Sequence, residues 1–114
     1  MQKLLVWFDE IIRDSQEKQK MLVDDQRKDE AVFEKMQENV YDIFRTVLNV
    51  ALKQHGQDEV AVRSFFEARL QQIPAAWEQS LLLAQQHGNE NKAHIEQIKL
   101  QALARIKAAA EEMK

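Results

Sequence analysis

No cysteine occurs in this chain of 114 residues, and it holds only two glycines and one proline. Without thiols there is no disulfide to staple a small fold, no thiolate nucleophile and no cysteine-based zinc site. So few glycines and prolines cannot supply the many tight hairpins of a β-sandwich or barrel. A long apolar run is also missing. The opening MQKLLVWFDEII meets Asp9 after five apolar residues, short of a signal-peptide core and far short of the roughly 20 residues that span a bilayer. Nor does one sign of charge dominate: the net charge is -3, with nine cationic against eleven acidic side chains in residues 1–56 and seven against eight beyond. Neither half offers a basic surface for a phosphate backbone. The expectation is a soluble, cytoplasmic protein with neither a nucleic acid nor a membrane as partner.

What the chain has in quantity is Ala, Leu, Glu, Lys, Gln and Arg, the strong helix formers. Hydrophobic residues at 45% against 31% charged argue for a packed core rather than disorder. One domain over residues 1–114 is feasible at this size. The predicted class is all-α.

Helical periodicity organises the chain. Leu4, Leu5, Trp7, Phe8, Ile11 and Ile12 fall on one arc of roughly 160°, too wide for a single two-stranded seam, so helix A (about 2–22) should touch at least two neighbours. A second stripe joins Phe33, Met36, Val40, Ile43, Phe44, Val47, Leu48 and Ala51, all read as the buried face of helix B. Between them the apolar face lapses at Ser15, Lys18, Gln19, Gln26 and Asp29. Either one helix of about 50 residues runs through this gap, or a hairpin turns near Asp24–Asp25 with an Asp capping helix B. The hairpin is favoured, because so long a helix lacks a repeating seam.

Helix C carries Val62, Phe65, Phe66, Leu70, Ile73, Trp77, Leu81 and Ala84, and its phase survives Pro74. It should be one kinked helix or two meeting there. Helix D, about 90–113, presents Ile95, Ile98, Ala102, Leu103, Ile106, Ala109 and Met113. The predicted architecture is an antiparallel up-down four-helix bundle with its third helix kinked or split at Pro74.

The segment QHG occurs twice, at Gln54–Gly56 and Gln86–Gly88. A split metal site would need His55 and His87 together. In an up-down bundle they lie at opposite ends of helix C, roughly 45 Å apart at 1.5 Å per residue. The motif reads instead as punctuation: Gly56 and Gly88 stop helices, the imidazoles sit near helix C-termini, and Asp58 and Asn89 or Asn91 cap the succeeding helices.

Other constellations are equally bland. Ferritin-like bundles need Glu-x-x-His, which is absent. Glu90 and His94 should face solvent. Ser15, Ser64 and Ser80 lie in no strained turn or glycine-rich loop, so enzyme activity is not expected, and no catalytic, cofactor-binding or metal residue is assigned. Arg69 and Lys99 should lay their stems over the core edge. Apolar residues outside their helix stripes remain: Val6, Leu52, Leu82 and Leu100, with Trp7 at a stripe margin. These five are the candidate protein-interaction surface. The expected role is non-enzymatic binding of a protein partner or self-association as a homodimer, with a ligand or metal carrier using the bundle interior as the alternative.

Overall fold

The computed structural model describes residues 1–113, which form five helical segments and no strand. These are α1 (Gln2–Asp24), α2 (Lys28–His55), α3 (Glu59–Gln72), α4 (Ala75–Gln86) and α5 (Glu90–Glu112). Pro74 joins α3 to α4 through a kink of 15°. The Ile73 N–H still reaches the Arg69 carbonyl at 3.0 Å and the Glu78 N–H the Pro74 carbonyl at 3.0 Å, so α3 and α4 act as one bent rod. The missing proline donor costs the rod one rung of its ladder, not its course. The all-α four-rod bundle expected from the sequence is therefore the fold.

Each rod reverses the direction of the last. Met1, Leu52, Gly56 and Val62 meet at one end, where Arg63 of α3 also donates to the Met113 carbonyl at 3.4 Å. At the other end Phe33 of α2 stacks edge-on against His94 of α5, ring centroids 4.7 Å apart. α2 and α5 thus run parallel on the bundle diagonal, and they pack directly on each other while α1 barely reaches α5. The small side chains of Ala102 and Ala109 on α5, both buried, permit that approach. The outcome is a flattened body, 44 × 36 × 21 Å.

Phe8, Phe44 and Phe66, none with measurable exposure, form the centre. Phe66 sits edge-to-face against Phe8 at 6.2 Å and Phe44 at 6.4 Å, an arrangement that sets positive ring edges on negative faces. Leu4, Ile12, Leu48, Val62, Leu70, Leu103 and Ile106 complete the core.

The corners explain why the hairpin between α1 and α2 has no glycine. Gln26 takes φ 60, the Gln26 N–H bonds to the Val23 carbonyl at 3.0 Å, and the Arg27 N–H to Leu22 at 2.7 Å. This is a Schellman stop with glutamine where glycine is usual. Gly88, φ 67, occupies the same place after α4, with Gly88 and Asn89 bonding back to Gln85 and Ala84 at 3.3 and 2.8 Å. Gly56 differs: it is itself the cap residue, at φ 58 and ψ -117, a combination that a Cβ disfavours. The expected caps on α3 and α5 are Asp58 and Asn89, accepting from the N–H groups of Ala61 and Lys92 at 3.1 Å each. The expected aspartate cap on α2 is corrected: Arg27 precedes that helix with no side-chain cap, because the Schellman turn already fixes the path of the chain into it.

Candidate functional site

The gap between the first two apolar stripes proves to be a polar seam. Ser15, Glu34 and Glu38 are all buried where α1 and α2 face each other. The Ser15 hydroxyl donates to Glu34 Oε1 at 2.9 Å, Gln19 Nε2 donates to Ser15 Oγ at 3.4 Å, and Lys18 reaches Glu34 Oε2 at 3.5 Å. Lys35 donates to Glu38 Oε2 at 2.6 Å. Burial opposes ionisation of Glu38, but hydrogen bonds from Lys35, Gln16 and Gln19 outweigh it and hold the carboxyl below the usual glutamate range. Nearby, burial works against the Arg45 charge, yet hydrogen bonds to Asp9 and Asp42 at 3.0 and 2.9 Å raise its pKa.

An open groove of about 550 Å³ runs beside the seam, lined by Gln16, Gln19, Lys20, Val23, Asp24, Lys35 and Glu38. A serine bonded to a carboxylate could suggest a nucleophile. Ser15 is only 4% exposed, and its proton is already committed to Glu34. The seam joins two helices; it offers no reacting atom to a substrate.

The second feature is the outward face of α2. Val32, Ile43 and Val50 are 53%, 41% and 38% exposed. With half-buried Met36 and exposed Asn39 and Thr46 they recur at intervals of four, three, four, three and four, the heptad spacing that keeps residues on one line of a helix. Periodicity puts Met36 and Ile43 in the buried stripe. Ile43 instead points outward, and Met36 is only half covered. The buried face of α2 is set by Val40, Tyr41, Phe44, Leu48 and Ala51, and Ile43 stands about 100° from Phe44 on that wheel. The signal was in the width: the apolar positions of α2 span more than a single interface covers.

The five sequence-predicted surface residues separate into two groups. Val6 is 54% exposed and Leu82 55%. Val6 stands alone among exposed Glu10, Arg13 and Glu17 at helical spacing, an ordinary surface hydrophobe, whereas Leu82 has exposed Leu83 beside it. Trp7, Leu52 and Leu100 are half-buried and packed against the core. Trp7 sits edge-on to Phe8 at 5.2 Å and Tyr41 at 6.0 Å, and Arg105 donates to the Tyr41 hydroxyl at 3.1 Å.

Remaining candidates have local tasks. Arg69 lies over the Phe65 ring at 4.1 Å, and Lys99 lies 5.6 Å from the Trp77 ring while donating to Glu96 Oε1 at 3.3 Å. His94 is exposed but touches Phe33. His55 and His87 lie at opposite ends of the α3–α4 rod, and among the described residues no three His, Asp or Glu side chains gather as a metal would need. Among the same residues, no helix is long and apolar enough to cross a membrane. The chain matches no protein-family model, no curated protein and no solved structure.

Proposed function

We propose that this chain is a non-enzymatic, cytoplasmic protein-binding module that works by burying outward apolar side chains of its helices against another protein surface. The observation that supports this reading is the row on α2: Val32, Ile43 and Val50 are held in line on one long helix whose opposite face is locked into the core. Single exposed hydrophobes are common, but an ordered row leaves water against apolar surface that association would remove. Leu82 and Leu83 on α4 extend the apolar supply. Charged neighbours such as Lys35 and Asp42 provide a rim that penalises mismatched partners.

A photo-crosslinking residue placed at Ile43, at Leu82 and, as a control, at Glu10 tests the reading in the native host cell. Position 43 or 82 should yield a discrete protein adduct that position 10 does not. Equal, diffuse labelling from all three would remove the basis for a binding module.

A further inference from the structure

We propose that the second half of α1, residues 13–24, is a strap that melts away from α2 as one unit while the rest of the bundle stays folded. This goes beyond the binding reading and does not depend on it.

The core stops short of the strap. Among the described residues it takes Leu4, Phe8 and Ile12 from α1, with Leu5, Trp7 and Ile11 on its margin, and nothing past Ile12. Phe8 against Phe66 of α3 anchors that first half at 6.2 Å. Beyond Ile12 only Ser15 and Leu22 of α1 are buried, so Leu22 is the one apolar side chain of the strap with full cover. α1 packs chiefly on α2 and barely reaches α5. Once its contacts to α2 part, little else retains the strap.

Those contacts part at small cost. Ser15 donates to Glu34 at 2.9 Å, and on separation both groups exchange that bond for bonds to water, which an apolar interface cannot do. Lys18, the other partner of Glu34, is 64% exposed, and an ion pair with one end in water adds little. The far end is weakly closed as well. Asp24 and Asp25 stand at the negative pole of the helix dipole with no basic residue in the last turn, and Gln26 holds a positive φ.

α2 does not follow the strap, because its first half is fastened to α5 from the other side. Phe33 meets His94 with ring centroids 4.7 Å apart, and Arg105 donates to Gln37 Oε1 at 2.7 Å. The strap is thus tethered at Ile12 in the core and at Lys28 leading into docked α2. An uninterrupted helix held at both ends does not swing out, and no glycine or proline between them offers a hinge. It leaves by unwinding. Release uncovers Ala31, Glu34 and Glu38, a face of α2 that the closed bundle keeps from solvent.

Hydrogen exchange of the full chain, followed by NMR at low urea concentrations, tests the strap. Amides of residues 17–23 should open at least about a hundredfold more often than those of Phe44, Leu48 and Ile106, and should share one urea slope smaller than that of global unfolding. Ile106→Val, a small truncation at a fully buried site of α5, separates the two openings. It should speed exchange of the core amides about fivefold and leave the strap amides unchanged, since the packing of Ile106 survives strap opening. Leu22→Ala should speed the strap amides about thirtyfold, because its contacts are lost when the strap melts.

Strap amides that accelerate together with the core amides in Ile106→Val would show that α1 opens only with the whole bundle, and would overturn the proposal. So would protection that falls residue by residue toward Asp24 with no urea slope, which is fraying of a helix end. Strap amides indifferent to Leu22→Ala would overturn it too, since they would then exchange without breaking the one apolar contact that closes the strap.

Discussion

Ser15 on α1 donates its hydroxyl hydrogen to the buried Glu34 carboxylate on α2 at 2.9 Å, and this contact closes the hairpin where apolar residues are absent from the interface. A carboxylate taken from water needs donors in place of the solvent it loses. Ser15 supplies one, and Lys18 lies at 3.5 Å from the other oxygen. Ser15→Ala should therefore destabilise the fold by about 1–2 kcal/mol, since one oxygen loses its partner while remaining buried. Adding Glu34→Leu should recover part of that loss. Urea titrations of Ser15→Ala, Glu34→Leu and the double variant measure it; a double variant whose loss is the sum of the two single losses would mean the pair is uncoupled.

Glu38 gives the hairpin a pH dependence with a definite sign. Its folded carboxyl is held below the ordinary range by Lys35, Gln16 and Gln19 despite burial. A lowered folded value means that ionised Glu38 favours the native state at neutral pH. That contribution is present above the unfolded value of about 4.3 and is lost as pH falls through the lower folded value. Denaturant midpoints measured from neutral pH downward should fall more steeply below about pH 4.3 for the wild type than for Glu38→Gln. Parallel curves would show that Glu38 contributes nothing to acid sensitivity.

The first corner was harder to read than the other two. Gly56 and Gly88 announce their turns, because a positive φ is cheap only without a Cβ. Gln26 makes the same Schellman hydrogen bonds as Gly88 but leaves no compositional mark, so Asp24–Asp25 attracted the assignment and the turn falls one residue later. The core of Phe8, Phe44 and Phe66 followed from periodicity, whereas the later helix ends needed the glycines as well, and at Pro74 periodicity left a kinked rod and a split one equally open. The polar seam did not follow from it: Ser15 looked like a break in the apolar face, because a sequence does not reveal that Glu34 will stand opposite. Ile43 was misplaced for the converse reason. Periodicity records that a residue is apolar and in phase, but not whether a neighbour is close enough to cover it. Trp7, Leu52 and Leu100 lay outside or at the margin of their stripes and still found cover, because a bundle surrounds each rod on more than one side.

Gln26 is itself a place to gain stability. An L-residue in the left-handed region costs roughly 1–2 kcal/mol, partly offset by the greater unfolded freedom of glycine. Gln26→Gly should raise stability by about 0.5–1 kcal/mol, read as a shift in thermal midpoint. Gly88→Ala, at φ 67 with open space around the new Cβ, should lower it by a similar amount through backbone strain alone. Opposite shifts from these two changes would show that the corners share one conformational rule; equal signs would refute it.

Glu96 on α5 is the reverse of the seam at Ser15. It is 6% exposed; Oε1 accepts from Lys99 at 3.3 Å, but Oε2 is buried with no hydrogen-bond partner among the described residues. A charge taken out of water and only half satisfied is worth less than an apolar group of similar volume. Lys99 does not depend on it, since the ammonium also lies over the Trp77 ring and is partly exposed. Glu96→Met should therefore stabilise the bundle by about 1–2 kcal/mol, seen as a higher denaturant midpoint with unchanged slope. Glu96→Gln would introduce a buried amide with hydrogen-bonding demands of its own and gain less. A destabilised Glu96→Met variant would mean that Oε2 has a solvent or protein partner whose loss outweighs the improved burial, and that α5 is held to its neighbours by a polar contact where apolar packing is inferred.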